Sequence, residues 1–128
     1  MAKKVTGIRR KTLRMILEAS RDTDRPGDPK EFFAILRAEE GLITELLFVP
    51  TVLGNVHAIP KLHMLPIDFS VVGTVHSHPS GNYQPSDADR NMFSHFGRVH
   101  IIVGRPYIES TWQAYDHNGT PRSLDVVV

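Results

Sequence analysis

The sequence predicts an α/β fold in one domain, residues 1–128. Apolar stretches typical of strands alternate with two helical patterns along the chain. Hydrophobic residues make up 41% of the chain and charged residues 23%, which are ordinary values for a folded globular protein. A chain of 128 residues is long enough to bury about two-thirds of its unfolded surface, so a stable core is expected.

Two segments have helical patterns. Residues 8–20, IRRKTLRMILEAS, predict a first helix whose apolar positions share one face: Ile8, Leu13, Ile16 and Leu17. Residues 85–97, PSDADRNMFSHFG, predict a second helix with Ser86 as its N-cap and Gly97 as its C-cap. The polar stretch 21–30 and most of 51–70 are rich in Pro, Gly, Asp or Asn, which predicts loops.

Strand patterns occupy most of the remaining chain. Residues 43–50, 71–78 and 98–104 predict strands, and the chain is expected to close as a hairpin through Asn118-Gly119. The segment 31–36, EFFAIL, is ambiguous. The residues before it resemble a capped helix start, whereas its continuous apolar run is typical of a buried strand. These residues favour a strand but leave the alternative open.

Charge and cysteine content exclude several functions. With 15 basic and 14 acidic residues, the chain has no global field to attract nucleic acid or an anionic membrane. The basic cluster within residues 3–11 could bind nucleic acid, but a solvated surface is the favoured interpretation. The absence of cysteine excludes disulfides, cysteine nucleophiles and cysteine-ligated metals. No apolar run approaches a membrane span, and no signal peptide is evident, so a cytoplasmic protein is expected.

The stretch 73–90, GTVHSHPSGNYQPSDADR, carries the chemistry. His76 and His78 lie two residues apart on a predicted strand, so both imidazoles point to one face. Ser86 and Asp89 form an S-x-x-D pattern, which can be a helix capping box. Two imidazoles and one carboxylate also suit Zn²⁺, and three protein ligands leave a fourth position for water, as in catalytic sites. We favour a metal site over a solvated histidine pair.

A zinc hydrolase also needs a general base. No H-E-x-x-H pattern is present, so the base must come from another part of the chain. Glu31, at the head of the apolar run, is the candidate. A helix-capping glutamate is an equally good interpretation of that residue from the sequence.

These residues together resemble the JAMM (MPN+) metalloprotease signature. It consists of an upstream Glu31, then His76-Ser77-His78-Pro79, then seven residues between the second histidine and Ser86-Asp87-Ala88-Asp89. The likeness extends over MLPI at 64–67 and HIIVG at 100–104, as in stand-alone prokaryotic members. It implies a curved mixed β-sheet between helices, related to the cytidine deaminases, with 31–36 as a strand.

The resemblance also implies roles for these residues. His76, His78 and Asp89 are expected to bind one Zn²⁺ per chain, Glu31 to act as general base and acid, and Ser86 to stabilise the oxyanion. The implied reaction is hydrolysis of an isopeptide or peptide bond after the C-terminal Gly-Gly of a ubiquitin-like or sulfur-carrier protein. The alternative function is an inactive MPN-type scaffold that binds protein partners. A homodimer is left open.

Overall fold

The computed structural model describes residues 4–48 and 70–128. In chain order their elements are β1 (Gly7–Arg9), α1 (Arg10–Thr23), β2 (Asp24–Arg25), β3 (Asp28–Pro29), β4 (Phe33–Glu39), β5 (Leu42–Phe48), β6 (Val71–His78), α2 (Asp87–His95), β7 (Val99–Gly104), β8 (Trp112–Tyr115), β9 (Pro121–Arg122) and β10 (Asp125–Val127). Eight strands form one mixed sheet in the order β10-β1-β5-β4-β6-β7-β8-β9, and β2 pairs with β3 separately. No helix in these two ranges is long and apolar enough to cross a membrane.

The first helix is present but begins later than predicted. Leu13, Ile16 and Leu17 are buried on one face of α1, as their spacing indicates. Ile8 was wrongly placed on this helix, because it lies in β1 and is fully buried there. The partners of β1 are β5 and β10, which lie far away in the sequence, so no local pattern could reveal this strand.

The segment 21–30 was wrongly predicted to be only a loop. Helix α1 continues to Thr23, and β2 and β3 then form a small antiparallel ribbon around Gly27, which has φ +79°. The Asp24 side chain accepts hydrogen bonds from the side chains of Arg105 and Tyr107. Contacts to a distant loop therefore order a segment whose composition is that of a loop.

The ambiguous segment is a strand, as the resemblance implies. Strand β4 begins at Phe33, two residues after Glu31, and pairs with β5 and β6 in antiparallel fashion. The turn between β4 and β5 falls at Glu40-Gly41. Residues 49 and 50 of the predicted second strand, and all of the predicted loop 51–70 except Ser70, lie outside the described residues.

The two helices cover opposite faces of the sheet. On β7, Ile101 and Val103 belong to the larger core cluster that contains the apolar face of α1, whereas Ile102 packs with Phe93 of α2. Successive side chains of a strand point to opposite faces, so β7 contributes to both layers and is buried throughout. By the same alternation on β8, Trp112 packs against the larger cluster and Tyr115 lies in the α2 layer.

The predicted hairpin is present, but its second arm pairs only over Pro121–Arg122, and the end of the chain leaves it. Strands β8 and β9 pair around a turn in which Gly119 has φ +79°. Strand β10 then pairs with β1 at the other end of the sheet. Only two residues separate β9 from β10, a reach of about 11 Å at most, so the sheet must curl to bring its ends together. The predicted fold class, a curved mixed sheet between helices, is confirmed.

Candidate metal centre

The two histidines of residues 73–90 converge at the end of β6. His76 and His78 share the face of β6 that is covered by α2, and their Nε2 atoms are 3.1 Å apart. His76 is fully buried, whereas 14% of the His78 side chain is exposed. One imidazole therefore lies inside the protein and the other lies at the opening of the site.

Asp89 brings a carboxylate to the same point from α2. Its Oδ1 lies 3.1 Å from Nε2 of His76, and its Oδ2 lies 3.2 Å from Nε2 of His78. The capping box predicted as the alternative is also present. The Ser86 side chain accepts a hydrogen bond from the Asp89 amide, and Asp89 Oδ2 accepts one from the Ser86 amide. Capping and ligation are thus compatible, since the cap fixes the carboxylate toward the histidines.

The separations among these three side chains fit a single zinc ion. Ligands about 2.0–2.1 Å from a tetrahedral zinc lie about 3.3 Å from one another, close to the 3.1–3.2 Å found here. Two imidazole nitrogens and one carboxylate are a donor set that zinc accepts readily. Within the described ranges, this is the one group of three or more potential ligands close enough to hold a metal ion.

A hydrogen bond sets the protonation of His78. Its Nδ1 lies 2.6 Å from the carbonyl oxygen of Asn82, in the loop between β6 and α2. A carbonyl only accepts hydrogen bonds, so Nδ1 carries the proton and Nε2 offers its lone pair to a metal. Sequence analysis missed Asn82, and a backbone carbonyl leaves no signal in residue type that could have revealed it.

The electrostatics of the site favour an ionised carboxylate at Asp89. Burial alone raises the pKa of Asp89, but hydrogen bonds with His76 and His78 outweigh burial and hold the pKa well below its ordinary value. Burial lowers the pKa of His78, but its hydrogen bonds with Asp89 and the Asn82 carbonyl raise the pKa overall. Asp89 is therefore ionised, as a carboxylate that binds a metal must be.

Glu31 lies close to this group. It is half-buried just before β4, and the pairing of Phe33 with His76 brings the start of β4 beside the ligand-bearing end of β6. The Glu31 charge contributes to the raised pKa of His78. The predicted base is thus at the site, although it precedes the strand rather than starting it.

A packed layer lies behind the potential ligands on the α2 face. The His100 and Phe93 rings stack with centroids 4.2 Å apart, and Phe93 also contacts the rings of His76 and Tyr115. Tyr115 donates a 2.6 Å hydrogen bond to the carbonyl of Tyr83, which anchors the loop between β6 and α2. His100 belongs to this layer and is not one of the three potential metal ligands.

The remaining histidines lie away from the three potential ligands or outside the described residues. His95 is the last residue of α2, and its Nδ1 lies 2.7 Å from the Asn91 carbonyl oxygen, as expected for a histidine at a helix end. His117 is exposed in the hairpin turn. His57 and His63 fall in the part of the chain that the structure does not describe.

Comparisons with known proteins agree with the fold and the site. The family model of prokaryotic homologues of the JAB domain matches residues 7–117. A probable metalloprotease of Haloferax volcanii is 39% identical over 137 residues, spanning 98% of this chain and 82% of that protein.

Two solved structures are similar over nearly the whole chain. A JAB1/MPN domain protein from Archaeoglobus fulgidus is 38% identical with a TM-score of 0.78, covering 96% of this chain and 100% of the other. A structure described as a JAMM metalloprotease-like zinc site in the proteasome and signalosome is 35% identical with a TM-score of 0.76, covering 98% and 100%. The chain therefore belongs to the prokaryotic JAB family of the JAB1/MPN fold, with a side-chain group compatible with one zinc ion.

Proposed function

We propose that this protein is a zinc-dependent metallopeptidase in which His76, His78 and Asp89 bind the metal. The observation that carries the proposal is the convergence of three ligand atoms, 3.1–3.2 Å apart, from the end of β6 and the first turn of α2. A probable metalloprotease among the relatives supports the same activity.

The reaction we propose divides between the metal and two side chains. A bound zinc ion supplies Lewis acidity and lowers the pKa of a water molecule toward about 7. Glu31 accepts the proton of the attacking water and returns it to the leaving amine nitrogen, which completes the cleavage. Its place at the half-exposed mouth of the site, close enough to act on His78, supports this role.

Ser86 is proposed to stabilise the oxyanion of the tetrahedral intermediate. Its oxygen already accepts the Asp89 amide in the capping box. A hydroxyl can accept one hydrogen bond and still donate its own hydrogen, so capping leaves the O–H available for an oxyanion. One side chain thus serves both as helix cap and as donor.

The proposed substrate is a ubiquitin-like or sulfur-carrier protein, cleaved after its C-terminal Gly-Gly at an isopeptide or linear peptide bond. This substrate class rests on the resemblance to the JAMM signature. The connection between β7 and β8 is short, residues 105–111, so it offers little surface to clamp a large partner. A small carrier tail is therefore a better candidate than a folded ubiquitin surface.

Zinc titration is the first test. Calorimetry on the metal-stripped protein should show one tight site, and Asp89→Ala should bind far more weakly. Asp87→Ala is the matched control, because Asp87 lies in the same helical turn with a fully exposed side chain and should leave zinc binding unchanged. A parent protein that binds no zinc would contradict the proposal and favour the inactive scaffold.

Turnover tests the base. With a carrier ending in Gly-Gly fused to a reporter, Glu31→Gln should keep zinc and abolish cleavage. The matched control is Glu39→Gln, at the far end of β4 and exposed, which should cleave at the parental rate. Cleavage that survives Glu31→Gln would show that the base is wrongly assigned, and equal cleavage of a carrier ending in Ala-Ala would refute the Gly-Gly preference.

The same assay tests the oxyanion donor. Ser86→Ala should lower kcat by about 10²-fold or more, in line with the loss of one oxyanion donor. Because the variant also loses its helix cap, zinc affinity is measured in parallel to separate the two effects. An unchanged rate would leave Ser86 as a cap alone.

A further inference from the structure

We propose that Ser77, the residue between the two histidines, is a positioning residue that holds Glu31 at the metal centre. The inference rests on the proposed role of Glu31 as base. Ser77 carries no ligand atom to the metal centre, because its side chain points to the face of β6 opposite to His76 and His78.

Two hydrogen bonds join Ser77 to the residue that follows Glu31. The Phe32 amide donates to Ser77 Oγ at 2.8 Å, and the Ser77 amide donates to the Phe32 carbonyl at 3.0 Å. Both residues are buried, Ser77 completely. The donating nitrogen of Phe32 belongs to the peptide group that starts at the Glu31 carbonyl carbon, so the serine oxygen fixes that peptide plane.

The serine oxygen takes the place of a backbone acceptor. Phe33 pairs with His76 in the antiparallel ladder, so Phe32 lies opposite Ser77. In a regular hydrogen-bonded pair the Phe32 amide would donate to the Ser77 carbonyl. It donates instead to the Ser77 side chain, and the regular strand β4 begins only at Phe33. The chain can therefore leave the β4–β6 ladder at Glu31, while the buried Phe32 amide still has a hydrogen-bond acceptor.

This arrangement ties the proposed base to the metal ligands through one residue. His76 and His78 flank Ser77 in β6, so displacement of Phe32 relative to Ser77 moves Glu31 relative to both ligands. The Phe32 ring is itself packed in the main core and against Phe48, which resists rotation about this anchor. Displacement of a catalytic group by about 1 Å can cost 10²-fold in rate.

The test variant is Ser77→Ala, which removes only the hydroxyl. Ser20→Ala is the matched control, because Ser20 is also a fully buried serine with a 2.7 Å bond to a backbone carbonyl, in α1 and far from the metal ligands in sequence. Should Ser77→Ala fold poorly, Ser77→Thr and Ser77→Val provide a second comparison. These two side chains have nearly the same shape, and only threonine keeps the oxygen.

In zinc-loaded protein, Ser77→Ala should lower kcat by about 10- to 100-fold and leave KM and zinc affinity unchanged. Ser77→Thr should retain activity while Ser77→Val loses it, and Ser20→Ala should keep the parental kcat. A parental kcat in Ser77→Ala, or an equal loss in Ser20→Ala, would overturn the positioning role.

A second readout does not depend on turnover. Crystal structures of the zinc-loaded parent, Ser77→Ala and Ser20→Ala should show Glu31 displaced from the metal only in Ser77→Ala. An undisturbed Glu31 would refute the inference even if the parent cleaves its substrate. A parent that binds zinc but cleaves nothing would refute the proposed function, while the displacement of Glu31 would still decide what Ser77 does.

Discussion

Acid should weaken this protein through His100, a buried histidine behind the metal centre. The Nε2 of His100 lies 3.3 Å from the Gly97 carbonyl, so it carries the ring proton, and Nδ1 accepts the Thr74 hydroxyl at 2.7 Å. Burial is the main cause that lowers the pKa of His100 to about 4, against an ordinary value of 6.5. The folded state therefore holds this imidazole neutral.

The sign and size of the effect follow from proton linkage. Between the two pKa values the unfolded chain binds a proton that the folded chain does not, so the free energy of unfolding falls as the pH falls. The stabilisation is fully present above pH 6.5 and is lost as the pH approaches 4. For one such group, the change between pH 7 and pH 5 is about 2 kcal/mol.

The assay is urea unfolding of the metal-stripped protein at pH 7 and pH 5, compared with His100→Asn. Asparagine can still accept the Thr74 hydroxyl but does not titrate. We expect this variant to be less stable at pH 7, because it loses the stacking on Phe93, yet to lose about 2 kcal/mol less than the parent on acidification. His95→Asn, the same change at an exposed histidine, should follow the parent. Equal losses in the parent and His100→Asn would refute the assigned burial effect.

Three further substitutions test the packing around the site. Gly104→Ala should weaken zinc binding in calorimetry, because the added methyl group would lie 2.8 Å from the ring of Tyr83, in the loop between β6 and α2. Gly27→Ala, whose added methyl group would meet nothing within 4 Å, should leave zinc binding unchanged. Equal zinc affinities of the two variants would contradict the prediction. Gly73→Ala should abolish folding, measured by circular dichroism, because the added methyl group would lie 1.5 Å from the backbone oxygen of Val99 in β7. A native spectrum would contradict this prediction. Asp24→Asn should lower the free energy of unfolding in urea by about 1–3 kcal/mol, because it removes the negative charge and replaces by an NH2 group one of the two oxygens that accept from the Arg105 and Tyr107 side chains. Asp28→Asn, on the exposed ribbon strand, should cost far less.

Local patterns were informative where the physics is local. The capping box at Ser86 and Asp89 needs only its own four residues, and the helix it starts was predicted with its N-cap in place. The alternation that places His76 and His78 on one face is likewise a property of any strand, and β6 was predicted with the boundaries it has.

Prediction failed where a partner distant in sequence decides the conformation. Ile8 lies in a strand because β5 and β10 flank it, and β10 completes the sheet because the sheet curls. Residues 24–29 are ordered by side chains of a loop some 80 residues away. The residue types at position 8 and at 24–29 give no indication of these distant partners.

The sequence by itself determined which residues could serve at the metal centre, because residue type, strand parity and helix capping are local chemistry. Only the tertiary structure decided that they meet. Packing α2 on one face of the sheet brings Asp89 within 3.2 Å of two imidazoles, and the Asn82 carbonyl then sets which nitrogen of His78 faces a metal. The pairing of β4 with β6 brings the chain at Glu31 beside His76 and His78. Distances between such elements depend on contacts between residues far apart in the sequence, which no short stretch of sequence contains.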